Sequence, residues 1–202
     1  MNISKRITIF LLVCFISLPC IAHRHSGAYA AILENTSDYT DAEKLSRAVE
    51  YFQSGKYHEA LIWFSKLDKK YKLNPRFQAY MGVCCYYDGE YKRAIEALEP
   101  ILPKLKAFAP HELAVYYYSV ADSYFRLNKY IDAVPFYEKH TLLCYNNEKG
   151  DSLFRIGICY RCLGDIEIAQ EYFVEALAYF RRYNDTERLK YIERELERST
   201  DN

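Results

Sequence analysis

Cys159-Tyr160-Arg161-Cys162 is the stretch of this 202-residue chain whose residue types and spacing could carry covalent chemistry. Two cysteines three apart can cycle between dithiol and disulfide when a helix N-terminus lowers a thiol pKa. This pair falls late in a helical pattern, so it is expected to pack as small apolar residues or to form a structural disulfide. Five cysteines follow residue 22, namely Cys84, Cys85, Cys144, Cys159 and Cys162; the odd number leaves at least one free if all bonds are intramolecular. Zinc asks for four close Cys or His ligands. Cys159, Cys162 and the distant His140 do not supply them, and no metal is expected. His23, His25, His58 and His111 are expected to face solvent. Glycine-rich phosphate loops, nucleophile elbows and His-Glu-x-x-His pairs are absent from the sequence. The expectation is therefore no enzyme and no cofactor.

The elements that carry these residues follow from composition. Hydrophobic residues make up 50% of the chain and charged residues 27%, which excludes a disordered tail and a polytopic membrane protein. Seven Gly and six Pro are about half the usual share, which favours long helices over turn-rich β folds. Lys plus Arg and Asp plus Glu both total 27, a balance that argues against nucleic acid as a partner.

Lys5 and Arg6 precede an apolar run over Ile7–Ala22, the pattern of a secretory signal peptide (residues 1–22) cut before His23. An uncleaved anchor and a lipid on Cys20 are the alternatives. The rest is expected to be exported, to a bacterial periplasm or cell envelope; a eukaryotic lumenal protein is the other possibility. Residues 23–40 read as an N-terminal extension, with Ala28–Leu33 as a short helix.

Four segments share one pattern: Gly55–Ala60, Gly89–Ala94, Asn128–Ala133 and Gly164–Ala169, with starts 34, 39 and 36 residues apart. Seven residues before each start lies a small residue: Ala48, Gly82, Ala121 and Gly157. Nine after it lie Phe64, Leu98, Tyr137 and Phe173; twelve after it lie Leu67, Ile101, His140 and Ala176. This register resembles the tetratricopeptide repeat, whose unit is a pair of antiparallel helices. The resemblance implies an all-α solenoid of about four helix pairs, over roughly 41–74, 75–110, 114–148 and 150–183, with a capping helix in 184–202. Leu189, Ile192 and Leu196 form that helix's apolar stripe. Pro100, Pro103 and Pro110 imply a bent or extended second helix in the second unit and then a lengthened connection. Pro135 implies a kink, and His140, where a small residue is usual, implies a looser joint between the third and fourth units.

In the family that this chain resembles, the first helix of each unit lines a concave groove. The corresponding residues here are Leu45, Val49 and Phe52; Ala79, Val83 and Tyr86; Tyr118, Asp122 and Phe125; and Phe154, Ile158 and Arg161. Of these, Phe52, Tyr86, Tyr118, Asp122, Phe125, Phe154 and Arg161 are the candidate partner-binding residues, with Tyr124 and Tyr160 as core. The alternative is that the N-terminal segment or the last helix covers part of this stripe. Chaperone-binding members use Lys and Asn to clamp a terminal carboxylate; Leu45, Val49, Ala79 and Val83 at those positions argue against that activity. An apolar, aromatic groove suits a helix or extended peptide of a protein partner. The function implied is a non-catalytic adaptor or assembly factor. The alternatives are a sensor or regulatory module acting with an effector on another chain, or a thiol redox or stress protein.

Overall fold

The computed structural model describes residues 39–200, with side chains described through 197. The expected signal, its cleavage point, the lipid-bearing Cys20 and the helix expected at Ala28–Leu33 lie outside the described residues. Two compact units divide the chain, Met1–Ser46 and Arg47–Asn202. The described part of the first unit is the start of helix α1 (Asp41–Gln53). A capping box opens this helix: Thr40 Oγ1 accepts the Glu43 amide at 3.3 Å, and Glu43 Oε2 accepts the Thr40 amide at 2.7 Å.

The second unit continues α1 and adds α2 (Tyr57–Tyr71), α3 (Pro75–Tyr87), α4 (Tyr91–Leu98), a 3₁₀ turn (Leu102–Leu105), α5 (Pro110–Arg126), α6 (Tyr130–Leu143), α7 (Asn146–Leu163), α8 (Ile166–Arg182) and α9 (Thr186–Thr200). Each helix from α2 onward packs on the next in sequence, and α3 also packs on α5. The described residues are all-α, in consecutive helix pairs.

Local chemistry explains this pairing. Gly55, Gly89, Asn128 and Gly164 take φ of 74°, 77°, 58° and 91°. At each, its own amide bonds the carbonyl three residues back and the next amide bonds the carbonyl five residues back. That double closure ends a helix and reverses the chain, and a left-handed residue is needed to make it. Asn184 repeats the same turn between α8 and α9.

Contact between the two helices of a unit depends on missing side-chain atoms. A Cβ on Gly82 would stand 2.5 Å from Leu98 Cγ, and one on Gly157 would stand 2.5 Å from Phe173 Cε1. Ala60, Ala94, Ala133 and Ala169 are all buried on the facing helix, as are Phe64, Leu98, Tyr137 and Phe173.

The proline-rich segment breaks the helix where a bend or extension is expected. Helix α4 stops at Leu98, and Ile101, Leu102 and Leu105 then turn inward to join the core of α3 and α5. Helix α6 runs unbroken through Pro135, whose side chain is on the exposed face. His140 does not leave an open joint. Its ring is buried, and Nδ1 lies 2.7 Å from Ser152 Oγ on α7. Helix α9 closes the end, with Ile192, Leu189 and Leu196 packed on a core of Leu153, Phe173 and Phe180. Among the described residues, no helix is long and apolar enough to cross a membrane.

Candidate functional site

The first helices α3, α5 and α7 present the stripe on which the candidate residues were expected. Leu45 falls in the first unit. Phe52 stacks on Tyr80 of α3 at 4.3 Å between ring centroids. Ala79 and Val83 are buried in the core and line nothing open.

Asp122 is only 1% exposed and is not a surface contact. Its Oδ1 accepts the Tyr137 hydroxyl at 2.9 Å, and its Oδ2 accepts the Tyr86 hydroxyl at 3.0 Å and Arg126 Nε at 3.1 Å. Arg155 Nη1 lies 3.8 Å from Oδ1. Three units are thereby tied at one carboxylate. Burial first, then the Asp122 charge, pushes the Tyr86 and Tyr137 pKa values far above the ordinary tyrosine value. Both phenols therefore stay protonated and keep donating.

Tyr118 has two roles. Its hydroxyl donates to Asp151 Oδ2 at 2.8 Å, and its ring contacts those of Tyr137 and His140. It therefore joins the third and fourth units besides lining open space. Phe125 lies under the Arg155 guanidinium, 4.8 Å from its ring centroid, and against Tyr130. Tyr124, expected as core, is half-buried, and its hydroxyl donates to Glu99 Oε2 at 2.6 Å. Tyr160 is also half-buried, stacked on Tyr172 at 5.6 Å.

The fourth part of the stripe is covered by α9. Phe154 meets Tyr191 edge-on at 5.3 Å. Arg161 pairs with Glu195 and donates to the Tyr191 hydroxyl at 3.1 Å.

What stays open is a cavity of about 450 Å³ bounded by α3, α5, α7 and α9. Tyr87, Val115, Tyr118, Asp151 and Arg188 form much of its wall, with His111, His140, Tyr145 and Glu148 beside them. Arg188 Nη2 lies 3.2 Å from Asp151 Oδ1, so the acidic and basic groups of the wall are partly matched. Tyr87 and Val115 are exposed, leaving apolar surface at the mouth.

Spacing placed Tyr118 on this stripe and Tyr87 at its edge, and sequence reasoning missed the rest of the wall. His111, Val115 and Tyr118 are spaced four and three apart, so one face of α5 could have been traced from Tyr118. No local signal marks Arg188, which reaches the cavity only because α9 docks.

Cys84, Cys85 and Cys159 are buried thiols, Cys144 is half-buried and Cys162 is exposed. All five in the described residues are free. Burial first, then the neighbouring Cys162, pushes Cys159 up to about 12, whereas a reactive pair requires the opposite shift. Burial likewise pushes Cys144 up to about 11 and holds His140 below its ordinary value.

Residues 150–182, which span most of α7 and all of α8, match the family model of the tetratricopeptide repeat. No curated protein matches the chain. Among solved structures, MamA AMB-1 shares 16% identity at a TM-score of 0.59, covering 80% of this chain and 92% of its own. MamA MSR-1 shares 18% identity at 0.56, covering 79% and 98%. A further MamA crystal structure shares 19% identity at 0.58, covering 72% and 76%. At such identities the likeness is one of fold. The repeated turns and paired helices fit that same helical-pair fold, and the tetratricopeptide-repeat match itself covers residues 150–182.

Proposed function

We propose that this chain is a non-catalytic protein-interaction module, and that a segment of its partner seats in the cavity between α3, α5, α7 and α9. The observation that carries this reading is an open cavity with exposed Tyr87 and Val115 at its mouth and polar Asp151 and Arg188 within. Aromatic and apolar walls with a few placed polar groups suit an apolar side chain flanked by peptide backbone. The role fits an adaptor or assembly factor. Export to the periplasm or cell envelope belongs to the same proposal and rests on Lys5, Arg6 and the apolar run Ile7–Ala22.

Site-specific photocrosslinking tests the interaction. A crosslinking residue at Val115 should capture a discrete partner from envelope fractions. The same group at exposed Ile131 or Val174, on the second helices α6 and α8, should not. Equal capture from all three positions, or capture only at Ile131 or Val174, would place binding on another surface. Intact mass of the exported chain tests the cut before His23.

A further inference from the structure

The sequence gives no reason to expect a metal site, because Cys159, Cys162 and a distant His140 do not make one. The fold changes the neighbours of His140. His140 and Cys144 lie four residues apart, hence on one face at the end of α6. Cys144 then adopts extended backbone at φ −78°, ψ 168° and turns the chain into α7. That turn returns Glu148, the third residue of α7, to the same place. A nitrogen of His140, the sulfur of Cys144 and a carboxylate oxygen of Glu148 lie within 4.8 Å of one another.

We propose that His140, Cys144 and Glu148 bind a zinc ion. The donor set suits that metal: one imidazole nitrogen, one thiolate and one carboxylate are each ordinary zinc ligands. Zinc bonds of about 2.0–2.3 Å place ligand atoms of a tetrahedron roughly 3.5 Å apart. Rotation of the Cys144 side chain, which is only half-buried, closes the remaining gap.

Two contacts outside the donor set already orient it. Ser152 Oγ lies 2.7 Å from His140 Nδ1, which leaves Nε2 for the metal and supplies the outer partner that ligating histidines use. Glu148 Oε2 accepts the Tyr145 amide at 3.2 Å, which holds the carboxylate at the start of α7. One thiolate and one carboxylate balance the two charges of the ion, and the thiol proton leaves on binding. His140 and Glu148 both border the cavity, so the fourth coordination position falls to water or to a group entering from it. The site would clamp the joint between the third and fourth units, independently of any protein partner.

Cobalt titration of the reduced, chelator-stripped full chain is the test. Co²⁺ should bind with one ion per chain and give a thiolate-to-cobalt charge-transfer band in the near ultraviolet, which Zn²⁺ then removes. Cys144→Ser should abolish the band, and Cys162→Ser should leave it unchanged. Glu148→Gln should weaken Zn²⁺ binding about tenfold or more. Zinc should raise the melting temperature of the wild type and not of Cys144→Ser. Circular dichroism of each variant shows whether it is folded. A folded wild type without the band, or a band that survives Cys144→Ser, would overturn the site.

Discussion

The Tyr137 hydroxyl donates to Asp122 Oδ1 at 2.9 Å, joining the second helix of the third unit to its first helix with both side chains buried. Tyr86 of the second unit and Arg155 of the fourth meet the same carboxylate. A buried charge is tolerable only when hydrogen bonds and counter-charges surround it, and this one has both.

Asp122→Ala should therefore be among the most damaging single changes. It leaves the Tyr137 hydroxyl without its acceptor and the partly buried Arg155 without the Asp122 counter-charge, at about 3–5 kcal/mol. Asp122→Asn should cost less, because it keeps the shape and one acceptor oxygen. Urea unfolding of the two variants checks the order, and equal stability of Asp122→Ala and wild type would refute the central role of this carboxylate.

Gly157 and Gly89 separate two reasons for glycine. Gly157→Ala drives a methyl group into Phe173, and overpacking of this kind costs about 1–3 kcal/mol. Gly89→Ala meets no atom within 4 Å but must hold φ of 77°, at about 1–2 kcal/mol of backbone strain. Gly89→Asn should recover part of that loss, as Asn128 does at the equivalent turn, whereas Gly157→Asn should be worse than Gly157→Ala. Thermal melts of the four variants distinguish the mechanisms.

Glu112 predicts a pH dependence. Burial alone would raise its pKa, but hydrogen bonds from Arg76 and Tyr116 and the Arg76 charge bring it below the ordinary value of 4.5. A carboxylate with a depressed folded pKa stabilises the fold above its unfolded value, and that contribution is lost as pH falls through the folded value. Glu112→Gln should cost roughly 1 kcal/mol or less at pH 7, because Arg76 is about half exposed. The gap between variant and wild type should close as pH is lowered from about 5 to 3. A gap that widens on acidification would mean the ion pair is not stabilising.

Helix α9 should behave as a removable cover. Ile192 is fully buried against α8, and Ile192→Ala should cost about 2–5 kcal/mol in the docking of α9. Amide exchange should then speed up in Thr186–Thr200 more than in α5 or α6, while Phe154 and Arg161 gain access to solvent. Uniform loss of protection across all helices would show that α9 is integral to one cooperative unit.

Turn residues and small residues were legible in the sequence because their causes are local or lie within one helix pair. A left-handed Gly or Asn ends a helix whatever surrounds it, and a glycine seven residues before it meets a side chain nine residues after it. The all-α pairing follows from those facts alone. Asp122 looked like a polar group on a groove, since spacing places it on that face but says nothing about depth. Its burial arises because Tyr86, Tyr137 and Arg155 converge from three successive units. Arg161 and Phe154 lost their openness to α9, whose docking depends on how Ile192 meets Phe173 and Phe180. His140 looked isolated until the turn after Cys144 brought Glu148 back beside it. These outcomes are set by distances between helices, and a periodic pattern in one dimension carries the phase of each helix but not the side chains that its neighbours place against it.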